Sequence, residues 1–274
     1  MPATAYIEGI AIWSPQLPGW DDAQRIFRRE MPVPQATLSR PTPSLLPPNE
    51  RRRAPDTVAV SLEVASKACA QAGRDPASLP CIFASTNGDL ATTDYMCETL
   101  AQTPNLLSPT KFHNSVHNAA AGYWAIATGC MAGYTALSAN THTFSTGLLA
   151  ALVQVRTDET DILYVAYDTE ARGPLATMAP STGKLGCALV LSPNPTDNSL
   201  FAIHWQTLEE SQPQILTVSG EFAPLVAGNA MAACLPMLEA LSHRGGRITY
   251  PLGQQLGLEL TIELAGINSG QSAA

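Results

Sequence analysis

The sequence predicts an α/β fold, with helices layered on a mainly parallel sheet. Three observations predict it. Strand-like apolar runs alternate with helical periods through about residue 170. Beyond that point the pattern changes to paired strands with one helix and closing strands. Only 14% of the 274 residues are charged and 45% are hydrophobic, against a usual charged share of roughly 25%, so the chain can cover a large core.

The elements follow in order. Tyr6 to Trp13 is apolar and alternating, and gives the first strand. Asp22 to Arg29 gives a short helix. Pro32 to Pro48 holds six prolines and reads as an extended surface loop. Arg51, Arg52 and Arg53 precede a strong helix from Asp56 to Ala72, whose Val58, Leu62, Ala65, Ala68 and Cys69 form one stripe and which Gly73 ends. Cys81 to Ala84 is a short buried strand, and Asp89 caps a helix running to Ala101. Ser108-Pro109 opens another segment, Asn118 to Ala127 is a small-residue helix, Tyr134 to Ala139 a strand and Ser145 to Val155 a helix. Asp161 to Ala166 is a strand that ends at Asp168. In the second half, Leu185 to Leu191 and Ser199 to Leu208 read as paired strands, Asn229 to Leu241 as one helix, and Ile248 to Tyr250 and Leu258 to Leu264 as closing strands. This organisation divides the chain into a first half, 1–192, a thinner second half, 193–264, and a disordered tail, 265–274, with no clean linker between the halves.

The formal net charge of −8 disfavours nucleic acid and anionic membrane as partners. No signal peptide is expected, because Met1 to Trp13 has no basic region followed by a long apolar run, and no membrane span, because the apolar window Ala119 to Ala139 is broken by Gly122, Gly129 and Gly133. The six cysteines are scattered without paired spacing, as expected of reduced thiols in a cytoplasmic protein. His113 and His117 stand four apart but lack a third ligand, so no metal is expected.

The stretch from His142 to Ala150 carries the most chemistry. It reads as a sharp turn from strand to helix with Phe144 at its tip. A helix start offers free N–H groups and partial positive charge to a nucleophile, and acyl-transfer enzymes use such elbows. Phenylalanine cannot attack a thioester. Read plainly, Phe144 packs below an ordinary helix start. An acyltransferase or hydrolase using Ser145 or Cys130 with His142 is a second reading, and a structural carrier-protein docking module a third.

Four stretches resemble the β-ketoacyl synthase family: Arg51 to Arg53 with the alanine-rich helix after them, Phe112 to Gly122 (FHNSVHNAAAG), Ser138 to Ala151, and Leu163 to Asp168 with Gly183 to Ser192. The resemblance is broad over residues 4–192 and thin beyond. The SVHNAAAG run is similar to the short chain-length factors of bacterial aryl-polyene and type II polyketide systems. The resemblance implies a thiolase-like α-β-α layered fold with a reduced second half. It sets Gly147 on the family's elbow glycine and Phe144 on its nucleophilic cysteine. The family's two catalytic histidines have no counterpart motif, since His204 and His243 lack the surrounding residues. What it implies is a non-catalytic subunit that pairs with an active ketosynthase through Tyr134 to Ala139. Phe112, His113, Asn114, His117, Tyr123, Tyr134 and Leu137 would wall the acyl tunnel or the interface. Arg51, Arg52 and Arg53 would meet an acyl carrier protein. No cofactor is implied. Apart from that resemblance, His113 and His117 read as hydrogen-bonded structural histidines, Phe112 and Tyr123 as core, and the arginines as a solvated helix start.

Overall fold

A computed structural model describes residues 2–35, 40–209 and 222–266. Strand β1 (Ala3–Trp13) leads through α1 (Trp20–Phe27) and the short α2 (Pro48–Arg53) to α3 (Asp56–Ala72). Then come β2 (Cys81–Ala84), α4 (Leu90–Gln102), α5 (Pro109–Asn114), α6 (Ala119–Thr128), β3 (Tyr134–Leu137), α7 (Thr143–Asp158) and β4 (Ile162–Asp168). The chain continues through α8 (Leu175–Met178), β5 (Leu185–Ser192), β6 (Phe201–Glu209), α9 (Ala223–Val226), α10 (Leu235–Ser242), β7 (Gly245–Pro251) and β8 (Leu256–Leu264).

The strands form one sheet of eight in the order β3-β2-β4-β5-β1-β6-β8-β7. Only β2 with β3 and β2 with β4 run parallel, and the other five neighbouring pairs are antiparallel. The sheet is therefore mixed, which corrects the mainly parallel expectation. The expected pairing of the strands at 185–191 and 199–208 is also corrected, because β1 lies between them and bonds both. Period-2 patterning marks a strand but carries no information about its neighbour.

The apolar runs bury both faces. In β4, Ile162, Tyr164 and Ala166 face one cluster while Leu163, Val165 and Tyr167 face the other. On one side α3 and α6 cover the sheet with Val58, Leu62, Ala65, Ala68 and Trp124. On the other, α1, α7 and α10 cover it with Phe27, Leu148, Leu152, Leu238 and Leu241. The layering is α-β-α. Gly9 lets α3 lie hard on β1, since a Cβ there would stand 2.2 Å from the Ala68 carbonyl oxygen. Next to it the register of β1 slips between Ile7 and Gly9, leaving Glu8 as an extra, buried residue. Arg74 pairs with Glu8 (Nε–Oε2 2.8 Å) and the Thr196 hydroxyl donates to it, so the buried charge is compensated.

Local signals place most boundaries. The Asp89 carboxylate caps α4 by accepting from Thr92 N at 2.7 Å, and Gly73 ends α3 at φ 65°. The predicted single helix from Asn229 is broken. Asn229 Oδ1 accepts from Met231 N, a 3-10 turn follows at Ala232–Cys234, and α10 starts only at Leu235 with Pro236 in its first turn. Arg51 to Arg53 precede α3 as expected, and they also form the last turn of the short α2. Much of the predicted tail lies outside the described residues, as does part of the proline-rich loop. No helix among the described residues is long and apolar enough to cross a membrane.

Candidate functional site

The start of α7 differs from the predicted elbow. Strand β3 ends at Leu137, and the tip of the turn is Asn140, in the left-handed region at φ 53°. Thr143 closes this turn, accepting from Ala139 N at 3.0 Å and donating to the Asn140 carbonyl at 2.7 Å. Phe144 is not at the tip. It lies one residue inside α7, 2% exposed, with its ring 5.8 Å from that of Tyr164 and 5.4 Å from that of Tyr250. The Tyr164 hydroxyl donates to the Phe144 carbonyl at 2.7 Å. Gly147 makes this packing possible, because a Cβ there would come within 2.9 Å of the Tyr164 ring and 3.0 Å of Ala84. The apolar tip residue expected from sequence is thus a core residue that ties α7 to β4 and β7.

The alternative nucleophiles are not assembled. Ser145 is buried and its hydroxyl faces two carbonyls, Pro251 at 2.7 Å and His142 at 3.1 Å. His142 gives Ser145 only that backbone oxygen, and its Nδ1 is buried without a hydrogen-bond partner among the described residues. Cys130 is buried behind α6, its thiol facing the Leu79 carbonyl at 3.5 Å. Its neighbours Cys69 and Cys81 are pushed up to about 12 by burial. A serine or cysteine nucleophile needs a base within hydrogen-bond reach, and neither has one here.

The sequence-predicted wall residues separate into two groups. His113, Tyr123 and Tyr134 line one groove of about 450 Å³ with Glu50, Arg53, Val116, Asn118 and Ile126. The His113 ring stands edge-on to Tyr123 at 6.2 Å, and Asn118 Nδ2 donates to the Tyr134 hydroxyl at 3.3 Å. Asn114 lies beneath, buried, accepting from the Tyr123 hydroxyl at 3.1 Å, so it positions that ring. Phe112, His117 and Leu137 do not line the groove. Phe112 projects to solvent. His117 Nε2 donates to the Ser85 carbonyl at 2.8 Å, a structural role, and Leu137 ends β3 beside Ala84.

Sequence reading passed over two features here. Ile126, 80% exposed, lines this groove with Val116 and Tyr134, and Met131, 94% exposed, comes three residues before β3, whose outer edge bonds no strand among the described residues. Small residues around them hid the patch, since Ala-rich periods read as core. The second feature is Asp168, buried at the end of β4. It accepts from the Ser85 hydroxyl at 2.7 Å, Thr86 N at 2.9 Å and Asn87 N at 3.3 Å. Burial pushes its carboxyl up from the ordinary range, and these hydrogen bonds oppose the shift. It fixes the turn that also carries His117. A charge ending an otherwise apolar strand was the available signal.

The three arginines also part company. Arg51 donates to the Leu46 carbonyl at 2.8 Å, while Arg52 and Arg53 line a polar cavity of about 260 Å³. Among the described residues no three His, Cys, Asp or Glu side chains gather as a metal-ligand set.

A family model described as the β-ketoacyl synthase N-terminal domain matches residues 23–246. No curated protein matches the chain in sequence. Among solved structures, the ketosynthase ApeO in complex with its chain length factor ApeC from Xenorhabdus doucetiae is 18% identical, with a TM-score of 0.69 over 94% of this chain and 99% of that one. The ishigamide ketosynthase/chain length factor is 14% identical, with a TM-score of 0.72 over 96% and 100%. AntDE:AntF, a type II polyketide acyl-carrier protein in complex with its ketosynthase bound to the hexaketide, is 10% identical, with a TM-score of 0.72 over 97% and 100%. At these identities the likenesses show the thiolase-like fold.

Proposed function

The chain belongs to the β-ketoacyl synthase family, and from that premise we propose that it is a chain-length factor: a non-catalytic subunit that pairs with an active ketosynthase and walls part of its acyl channel. The observation that carries the reading is the β3 edge, unpaired among the described residues, with an apolar groove and exposed Ile126 beside it. An exposed apolar edge strand is an aggregation hazard unless another chain covers it. Two of the similar structures are ketosynthases with chain length factors, which fits such a partner.

The chemistry would then belong to the partner. A decarboxylative condensation needs a nucleophile to hold the acyl chain and groups to steady the enolate. At the family's nucleophile position this chain has Phe144, locked between Tyr164 and Tyr250. His204 is held on β6 by Thr4 Oγ1 at 2.9 Å and Glu263 at 3.2 Å, and His243 follows α10. In the proposed role His113, Tyr123 and Tyr134 limit chain growth by volume. A carrier protein, acidic as a class, would meet Arg52 and Arg53 rather than Arg51.

The test is co-expression with the active ketosynthase of the same biosynthetic system, followed by mass analysis of products made with carrier protein and malonyl groups. A stable complex is expected, with Tyr123→Ala shifting the product distribution to longer chains. Failure to form a complex overturns the pairing, and unchanged product length and yield in Tyr123→Ala and Tyr134→Ala overturns the channel role.

A further inference from the structure

A cavity of about 390 Å³ opens where α1, the turn from α10 to β7, the start of β6 and the end of β8 meet. It shares no lining residue with the groove or with the arginine-lined cavity described above. Two cations line it, Arg28 and Arg244, and among the described residues no carboxylate does, in a chain of net charge −8. Arg28 follows α1 directly. Its Nε donates to the Ser242 carbonyl at the end of α10, and its Nη2 donates to Gln24 Oε1 at 3.3 Å. Both acceptors are neutral. Arg244 is exposed, and its side chain has no hydrogen-bond or ion-pair partner among the described residues. Its backbone is costly to hold, because φ is 69°, in the left-handed region that glycine enters without a steric penalty. Gly245 and Gly246 follow at once, so an arginine stands where a glycine one residue away would fit better. A residue kept in a strained conformation points to a use for its side chain. Offsetting the negative end of α10 is not that use, since Arg28 already caps it.

The other walls are largely apolar. Trp20 and Phe201 are each 8% exposed, and Leu264 is half exposed. A ligand seated here would carry negative charge on an apolar body. The C-terminal ends of α1 and α10 border the cavity, and their partial negative charge suits a single anionic charge better than a dianion. A planar guanidinium matches a carboxylate, which it holds through parallel hydrogen bonds. We propose that this cavity binds a carboxylate on an aromatic or branched apolar body, the carboxylate between Arg28 and Arg244 and the body against Trp20 and Phe201. Nothing in this rests on the subunit pairing above.

The full chain, alone, is titrated calorimetrically with phenylacetate, acetate, phenylethanol and phenyl phosphate. Phenylacetate is expected to bind about tenfold or more tighter than acetate or phenylethanol, and tighter than phenyl phosphate, with affinity falling as salt rises. Arg244→Gly is expected to weaken phenylacetate about tenfold, the loss of one charged partner. Its thermal unfolding is expected to stay level or rise, because glycine suits the left-handed backbone, so the lost binding is not a lost fold. No binding of phenylacetate, equal affinity for phenylacetate and phenylethanol, tighter binding of phenyl phosphate, or binding untouched by Arg244→Gly overturns the proposal.

Discussion

Phe144 shows how one side chain can hold a helix start against the sheet. Its ring closes the space between Tyr164 and Tyr250, so Phe144→Ala is expected to cost about 3–5 kcal/mol in urea unfolding through lost burial and a residual cavity. Phe144→Cys puts a thiol in the same closed space with no base beside it. It is therefore expected to form no acyl adduct by mass analysis, and an adduct would show that the site opens. Asp168 lends itself to a pH test. Its folded pKa is raised, so the folded chain binds the proton more tightly than the unfolded one, and stability falls as pH rises from about 3.8 through the raised value. Asp168→Asn removes that titration. The stability advantage of the native chain over Asp168→Asn is expected to shrink between pH 4 and pH 7, and a flat or growing difference would mean that the hydrogen bonds from Ser85, Thr86 and Asn87 outweigh burial. Some of these roles were legible in the sequence. The buried character of Phe144 followed from residue type, and Gly147 was singled out by the resemblance. The exact tip of the turn did not, because Asn140 reaches φ 53° through local hydrogen bonding that no spacing rule encodes.

At the scale of elements, β3 and α6 make the surface that the proposed pairing needs. Among the described residues strand β3 bonds β2 on one side only, Ile126 on α6 lines the groove with Tyr134 of β3, and Met131 just after α6 is exposed. Surface changes at such exposed positions usually move stability by less than about 0.5 kcal/mol. Within an interface core, a charge in place of a central apolar side chain costs about 2 kcal/mol or more. Ile126→Asp and Met131→Asp are therefore expected to leave thermal unfolding of the isolated chain nearly unchanged while abolishing co-purification with a ketosynthase. If both variants still co-purify, the partner covers a different face. The strand itself was predicted as Tyr134 to Ala139, and its place at the sheet edge was implied by resemblance. Which of its neighbours project outward was hidden, because the run from Ala119 to Ala139 is uncharged and rich in small residues and so shows little amphipathic contrast.

At the scale of the whole molecule, the single sheet decides how separable the two halves are. The expected division fell at residue 192, where the family resemblance thins, with no clean linker there. The sheet crosses that point: β1 from the N-terminus bonds β5 along one edge and β6 along the other, and β6 carries β8 and β7 outward. Local patterning could not show this, because the contact that joins the halves spans about two hundred residues, from Thr4 to His204. The second half also covers the core. Phe222, Val226, Met231, Leu235, Leu238 and Leu241 are all buried in the same cluster as Phe27, Phe144 and Leu148. A chain ended at residue 192 would leave the β6-facing edge of β1 unpaired and this face of the sheet bare. The released edge is central rather than peripheral, with apolar Ala5 and Ile7 along it, and an unpaired apolar edge templates association with other chains. Truncation at residue 192 is therefore expected to yield aggregate, or a chain that unfolds without a cooperative transition, measured by solubility and by circular dichroism in urea. A soluble 1–192 fragment with a sharp transition would show that the first half folds alone, and that β1 takes its register from β5 without the strands beyond it.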